Sequence, residues 1–103
     1  MSEASLTRAK ARIFKALGHP TRLGMVEALS GGERCVCELV AEFGGSQATV
    51  SRHLDVLRRA GIIVRRKDGV RMMYELAMPC VLSAMPCIVE ALSARAREKS
   101  RKR

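Results

Sequence analysis

Cys35-Val36-Cys37 sets two sulfur donors one residue apart. Thiolates select arsenic(III)-like, cadmium, lead or zinc ions over hard cations, and the same groups oxidise reversibly. Two more cysteines, Cys80 and Cys87, end the two copies of the string Ala-Met-Pro-Cys at 77–80 and 84–87. Trivalent arsenic prefers three sulfurs in a pyramid. The Cys35/Cys37 pair therefore needs a further donor, which Cys80, Cys87 or a bound small thiol can supply. If one continuous helix carries Cys80 and Cys87, they lie roughly 10 Å apart and cannot share an ion within one chain. Across an antiparallel pair of terminal helices, Cys80 can meet Cys87 of another subunit. The plainer alternative treats these cysteines as small buried hydrophobes. No acid/base or nucleophile constellation accompanies them, so the sequence does not read as an enzyme and calls for no catalytic cofactor.

The elements that must position these thiols follow from apolar periodicity. Leu6, Ala9, Ile13, Ala16 and Leu17 recur at helical spacing, and Gly18 ends that first helix. His19 stands at the cap of a second helix, with Pro20 in its first turn and Leu23, Val26 and Leu29 as its buried stripe. Ser30-Gly31-Gly32 stops it. A third helix is expected from Val36 to Phe43, with Leu39 and Val40 inward. Gly44-Gly45 breaks the chain, Ser46 caps, and a fourth helix runs from Gln47 to Ala60 on Val50, Leu54 and Leu57. Two short helices joined by a glycine turn have the layout of a helix-turn-helix. The runs Ile62–Lys67 and Val70–Leu76 flank Asp68-Gly69, a strong hairpin signal and hence a wing.

From Pro79 the pattern is helical again, with Leu82, Met85, Val89, Leu92 and Ala96 in steps of three and four. Pro86 inside that helix predicts either a kink or a start near Pro86. So apolar a terminal helix on so small a body predicts burial against a second subunit. The fold class expected is mainly α with a small β-hairpin: a winged helix-turn-helix, homodimeric through its terminal helices. It spans residues 1–94, followed by a basic tail over 95–103.

Cys35 falls where the third helix needs its N-cap, and Glu38 occupies the third helical position. Ser or Thr there would complete a capping box; cysteine is expected to cap less well, by about 1 kcal/mol. A helix N-terminus favours the thiolate. In a regular helix, side chains at i and i+2 point to nearly opposite sides. At a cap and second position the backbone is only half helical, so a modest rearrangement can bring Cys35 and Cys37 onto one ion, and that rearrangement is expected to unwind the entry to the helix-turn-helix.

The formal charge is +9, and Arg95, Arg97, Lys99, Arg101, Lys102 and Arg103 against Glu98 supply five of it. The remaining body is still basic, which points to a polyanionic partner. Only Phe14, Phe43 and Tyr74 are aromatic, which argues against a stacking platform for single strands. The fourth helix offers Gln47, Thr49, Ser51, Arg52 and His53 near its N-terminus, the part that reaches base edges in a helix-turn-helix. His53 reads equally well as a satisfied, half-buried histidine. Arg65, Arg66, Lys67 and Arg71 on the wing suit phosphates. No apolar run of membrane-spanning length and no leader pattern is expected, which places the chain in a reducing cytoplasm without a membrane partner.

Ala16-Leu17-Gly18-His19-Pro20-Thr21-Arg22-Leu23, Cys35-Val36-Cys37-Glu38-Leu39, Ser51-Arg52-His53-Leu54 with Leu57, and Tyr74-Glu75-Leu76 together resemble the ArsR/SmtB family of metal-sensing repressors. The likeness covers roughly residues 8 to 92. It implies a winged-helix homodimer on a palindromic double-stranded operator, released when an inducer binds. The arsenic-responsive branch often shows Cys-Val-Cys-Asp-Leu-Cys; here Val40 stands at the last of those cysteines. The Asp and His ligands of zinc-sensing relatives are missing around Met78-Pro79-Cys80, and His19 replaces an Asp. The resulting expectation is a repressor of a metal(loid)-resistance operon. Arsenic(III) or another thiophilic ion would be its inducer, on Cys35 and Cys37 with Cys80 or Cys87. The alternatives are a thiol redox or persulfide-responsive repressor, and a winged-helix DNA-binder with no inducer.

Overall fold

The computed structural model describes residues 1–101. Helices α1 (Glu3–Leu17), α2 (Pro20–Leu29), α3 (Val36–Phe43), α4 (Gln47–Arg59) and α5 (Met85–Arg101) are joined by strands β1 (Arg34–Cys35), β2 (Ile63–Asp68) and β3 (Arg71–Leu76). A short 3-10 turn over Pro79–Leu82 precedes α5. The strands form one antiparallel sheet in the order β1-β3-β2. The winged helix-turn-helix layout read from periodicity is the one observed.

The core is built where stripes from several elements converge. Met25, Val26 and Leu29 of α2, Leu39 of α3, and Val50, Leu54 and Leu57 of α4 close around Ile62, Ile63 and Tyr74. Met25 is fully buried, while Leu23, expected in that stripe, is only half-buried. Between α3 and α4 the chain reverses through Gly44 and Gly45, at φ 70° and 75°. Two successive left-handed residues are cheap only for glycine, so this pair sets the helix-turn-helix angle.

Local chemistry fixes the helix ends. His19 caps α2 by accepting from the Thr21 amide through Nδ1 at 3.1 Å. The imidazole thus supplies the acceptor that an Asp would have supplied, which explains how the substitution before Pro20 is tolerated. The hairpin turn lies one residue later than Asp68-Gly69. Asp68 pairs with Arg71, leaving Gly69-Val70 as the loop, with Gly69 at φ 63°. A two-residue loop with glycine first suits the twist of the flanking strands.

Of the two outcomes expected at Pro86, a kink or a helix start, the structure has the start. The terminal helix begins at Met85, so Pro86 lies in the first turn, where its missing N–H costs nothing. Cys80 in the 3-10 turn and Cys87 in α5 are therefore on different elements, and the two-turn spacing of a continuous helix does not apply. In addition, Pro79–Arg101 is long and apolar enough, by length and composition, to cross a membrane. Uninterrupted apolar runs do not reveal the segment, because Ser83, Pro86 and Glu90 break it. Glu90, Arg95 and Arg97 along it are charges a bilayer would resist.

No residue of α5 is buried. Its Ile88, Val89 and Leu92 are 43%, 59% and 58% exposed, and Phe14 on α1 is 73% exposed. The radius of gyration is 16.3 Å, against about 13 Å for a compact chain of this length. Arg95 to Arg101 simply continue α5, so the basic tail begins as helix; Lys102 and Arg103 lie outside the described residues.

Candidate nucleic-acid interface and thiol site

Ser46 Oγ accepts from the Thr49 amide at 3.1 Å and fixes the start of α4. Burial of Val50, Leu54 and Leu57 then forces the other face outward. Gln47, Thr49 and Arg52 are exposed, and Ser51 is half-buried. The Thr49 hydroxyl lies 3.1 Å from Ser46 Oγ and accepts from Arg52 at 3.3 Å, which lays the guanidinium along the helix N-terminus. Toward the other end, Asp55 binds Arg58 at 2.7 Å and Arg59 at 2.9 Å. The Arg58 hydrogen bond holds the Asp55 carboxyl below its usual range. Positive charge at the end of α4 is thereby partly neutralised, while Arg52 near its start carries no carboxylate partner within ion-pair distance among the described residues.

His53 is half-buried and turns toward α2. Its ring lies 4.5 Å from that of His19, and Arg22 approaches its Nδ1 at 3.4 Å. Arg22 also donates to the Ala16 and Lys15 carbonyls at 2.6 and 3.5 Å, satisfying the end of α1. Desolvation, with His19, Arg22 and Arg52 nearby, pushes the His53 pKa down. A neutral ring accepting from Arg22 braces α4 against α2.

On the wing, Arg65, Arg66, Lys67 and Arg71 are all exposed. Arg66 is held by both carboxylate oxygens of Glu33, at 2.8 and 2.5 Å, which raises its pKa further. Glu33 directly precedes β1. That strand was not anticipated, since two residues carry no readable alternation. It pairs Arg34 with Tyr74 and Cys35 with Met73. The Glu33–Arg66 pair and the β1–β3 ladder thus fasten the cysteine segment to both wing strands.

Cys35 is 1% exposed and Cys37 is exposed. Cys35 is the N-cap of α3, its Sγ accepting from the Glu38 amide at 3.3 Å while Glu38 Oε1 accepts from the Cys35 amide at 3.1 Å. Cysteine therefore completes a capping box. In the structure the two sulfurs are joined as a disulfide, with Cα atoms 5.3 Å apart, and α3 still begins at Val36. The expected unwinding is not needed. Cys35 has extended backbone, φ −79° and ψ 159°, so its side chain does not follow the helical rotation that separates i from i+2. Cys80 and Cys87 are free and exposed, and no cluster of three or more metal-ligating side chains occurs among the described residues. One chain brings together two of the four cysteines, not a complete pyramid of sulfurs.

A glycine-turned helix pair, a reading helix with an outward polar face and a basic hairpin define a winged helix-turn-helix. Residues 19–64 match the family model "Bacterial regulatory protein, arsR family". An uncharacterized HTH-type transcriptional regulator of Mycobacterium tuberculosis is 40% identical over 80 residues, 77% of this chain and 70% of that one. Its crystal structure superposes with a TM-score of 0.77 at 33% identity, covering 92% of this chain and 96% of that chain. The arsenical resistance operon repressor of Escherichia coli is 45% identical over 67 residues, 64% of this chain and 57% of that one. A Mycobacterium bovis homodimeric winged helix-turn-helix DNA-binding domain, solved in solution as a fragment, matches with a TM-score of 0.77 at 29% identity, covering 93% of each chain. The chain belongs to the ArsR family: it is a DNA-binding transcriptional regulator and not an enzyme.

Proposed function

We propose that the chain is a homodimeric repressor of a metal(loid)-resistance operon that leaves its operator when a thiophilic ion such as arsenic(III) binds Cys35 and Cys37. The observation that carries this reading is the position of the sulfur pair: Cys35 caps the first helix of the helix-turn-helix and ends a strand of the wing sheet, and Cys37 lies in that helix's first turn. Similarity to the Escherichia coli arsenical repressor supports the class of inducer. Gln47, Thr49, Ser51 and Arg52 read base edges, and Arg65, Lys67 and Arg71 hold phosphates. His53 positions α4, and Arg66 couples the wing to Glu33.

Two sulfurs on one ion at about 2.3 Å stand well beyond bonding distance from one another. Coordination also draws on the Cys35 lone pairs that accept from Glu38. The ion therefore loosens the α3 cap and strains β1 against β3, displacing the wing and the helix pair together. Because one chain offers only two sulfurs at this site, the third comes from Cys80 or Cys87 of the partner subunit or from a small thiol. The exposed stripes of α1 and α5 form the dimer seam, beside a groove of about 830 Å³ floored by Ile13, Ala16, Val56 and Met78. Repression takes place in the cytoplasm.

The test is titration of the reduced protein on its operator with arsenite. Half-release is expected to move at least tenfold higher in Cys35→Ser and Cys37→Ser. Arsenite-saturated protein that holds its operator as firmly as the free protein would refute the reading.

A further inference from the structure

We propose that Cys35 and Cys37 are also an oxidation site, and that closing their disulfide locks the protein on DNA by making it deaf to thiophilic ions. The inference rests on the inducer site just described but concerns a different chemical input. Three observations carry it. The sulfurs are bonded to each other within one chain. The bond coexists with the α3 capping box, the β1–β3 ladder and a fully formed α4. The pair is also asymmetric, Cys35 being buried and Cys37 exposed.

The asymmetry orders the chemistry. Exposed Cys37 meets a peroxide first. Its thiolate attacks one peroxide oxygen, the O–O bond breaks, hydroxide leaves, and a sulfenic acid forms. The Cys35 thiolate then attacks the Cys37 sulfur, and the S–O bond breaks to release a second hydroxide. Two thiolates and one hydrogen peroxide give one disulfide and two hydroxides. Each sulfur loses one electron and the peroxide gains two. Reversal needs a dithiol, which attacks the exposed Cys37 sulfur and expels Cys35.

The consequence follows from what the bond removes and what it leaves. Metal coordination requires thiolate, and the disulfide consumes both. The bonded form has α4 and the wing fully built, so it presents the DNA-reading geometry. An oxidant in this scheme does not induce; it blocks induction.

The experiment uses the whole 103-residue chain, reduced or treated with one equivalent of hydrogen peroxide. Oxidation is expected to remove two hydrogens, about 2 Da, within the peptide that contains both Cys35 and Cys37. Operator Kd is expected to stay within about threefold of the reduced form, on the geometric argument above. Cadmium is expected to produce sulfur-to-metal ultraviolet absorption in the reduced form and none in the oxidised form, with dithiothreitol restoring it. Cys35→Ser and Cys37→Ser each abolish the intrachain bond, and the double variant Cys80→Ser/Cys87→Ser still forms it. Loss of operator affinity by tenfold or more on oxidation, full cadmium binding by the oxidised form, or oxidation to sulfinic acid without the bond would each overturn the proposal. Bond formation and operator affinity are read without any inducer. Failure of arsenite to release the reduced protein would therefore count against the inducer reading and leave these two results to stand or fall by themselves.

Discussion

Two helices of this chain carry similar apolar stripes and meet opposite fates. On α4, Val50, Leu54 and Leu57 are at most 1% exposed, shut in by α2, α3 and the base of β2. On α5, Ile88, Val89 and Leu92 are exposed, and none of the described residues buries them. Periodicity states that a face must be buried, but not against what. The α4 stripe finds its partners within the chain. The α5 stripe, with exposed Phe14 and Leu6 on α1, finds none there, which is the pattern expected of a seam that a second copy closes.

The contrast can be broken at its strongest point first. Leu54→Ala is expected to lower the unfolding free energy by about 2–5 kcal/mol, because the core around it cannot collapse into the space; a loss under about 1 kcal/mol in urea denaturation would show a looser core. Leu92→Glu is expected to leave each subunit folded but shift sedimentation toward monomer, with operator affinity at least tenfold weaker. Dimers of undiminished strength would remove α5 from the seam. Within α4, the outward face can be separated from the wing. Arg52→Ala is expected to relax base preference by about 1–3 kcal/mol, whereas Lys67→Ala weakens specific and random DNA alike and lowers the salt slope by about one. Equal effects from both would end that division of labour.

The smallest effect concerns the brace between α4 and α2. The His53 pKa is depressed below its ordinary 6.5 in the folded state, so the unfolded chain binds that proton more readily. Its contribution to stability is complete above pH 6.5 and declines as the pH falls through 6.5 toward the folded value. The urea midpoint is expected to drop between about pH 7.5 and pH 5.5, and less so in His53→Asn. An identical drop in both would assign the pH dependence to other groups.

The residues explain which features were legible in advance. Ser46, Gly44-Gly45 and the Val50, Leu54, Leu57 stripe announced α4 because capping, turn and burial signals all agreed there. Strand β1 could not be seen, since it is two residues long and exists only because β3 lies alongside it. The Glu33–Arg66 pair, 33 positions apart, was hidden for the same reason. His53 read two ways until Arg22 and His19 were found beside it.

The sequence by itself determined the order of helices, the winged helix-turn-helix layout, the basic character of the reading face and the presence of a sulfur pair at its entry. These follow from local propensity, apolar period and charge, which act over a few residues. The tertiary structure decided that the cysteine segment is a strand of the wing sheet. It also decided that the bonded sulfurs and an intact α3 occur together, and that the α5 stripe is left exposed. Each of those depends on which distant segments the folded chain brings together, and no local pattern contains that information.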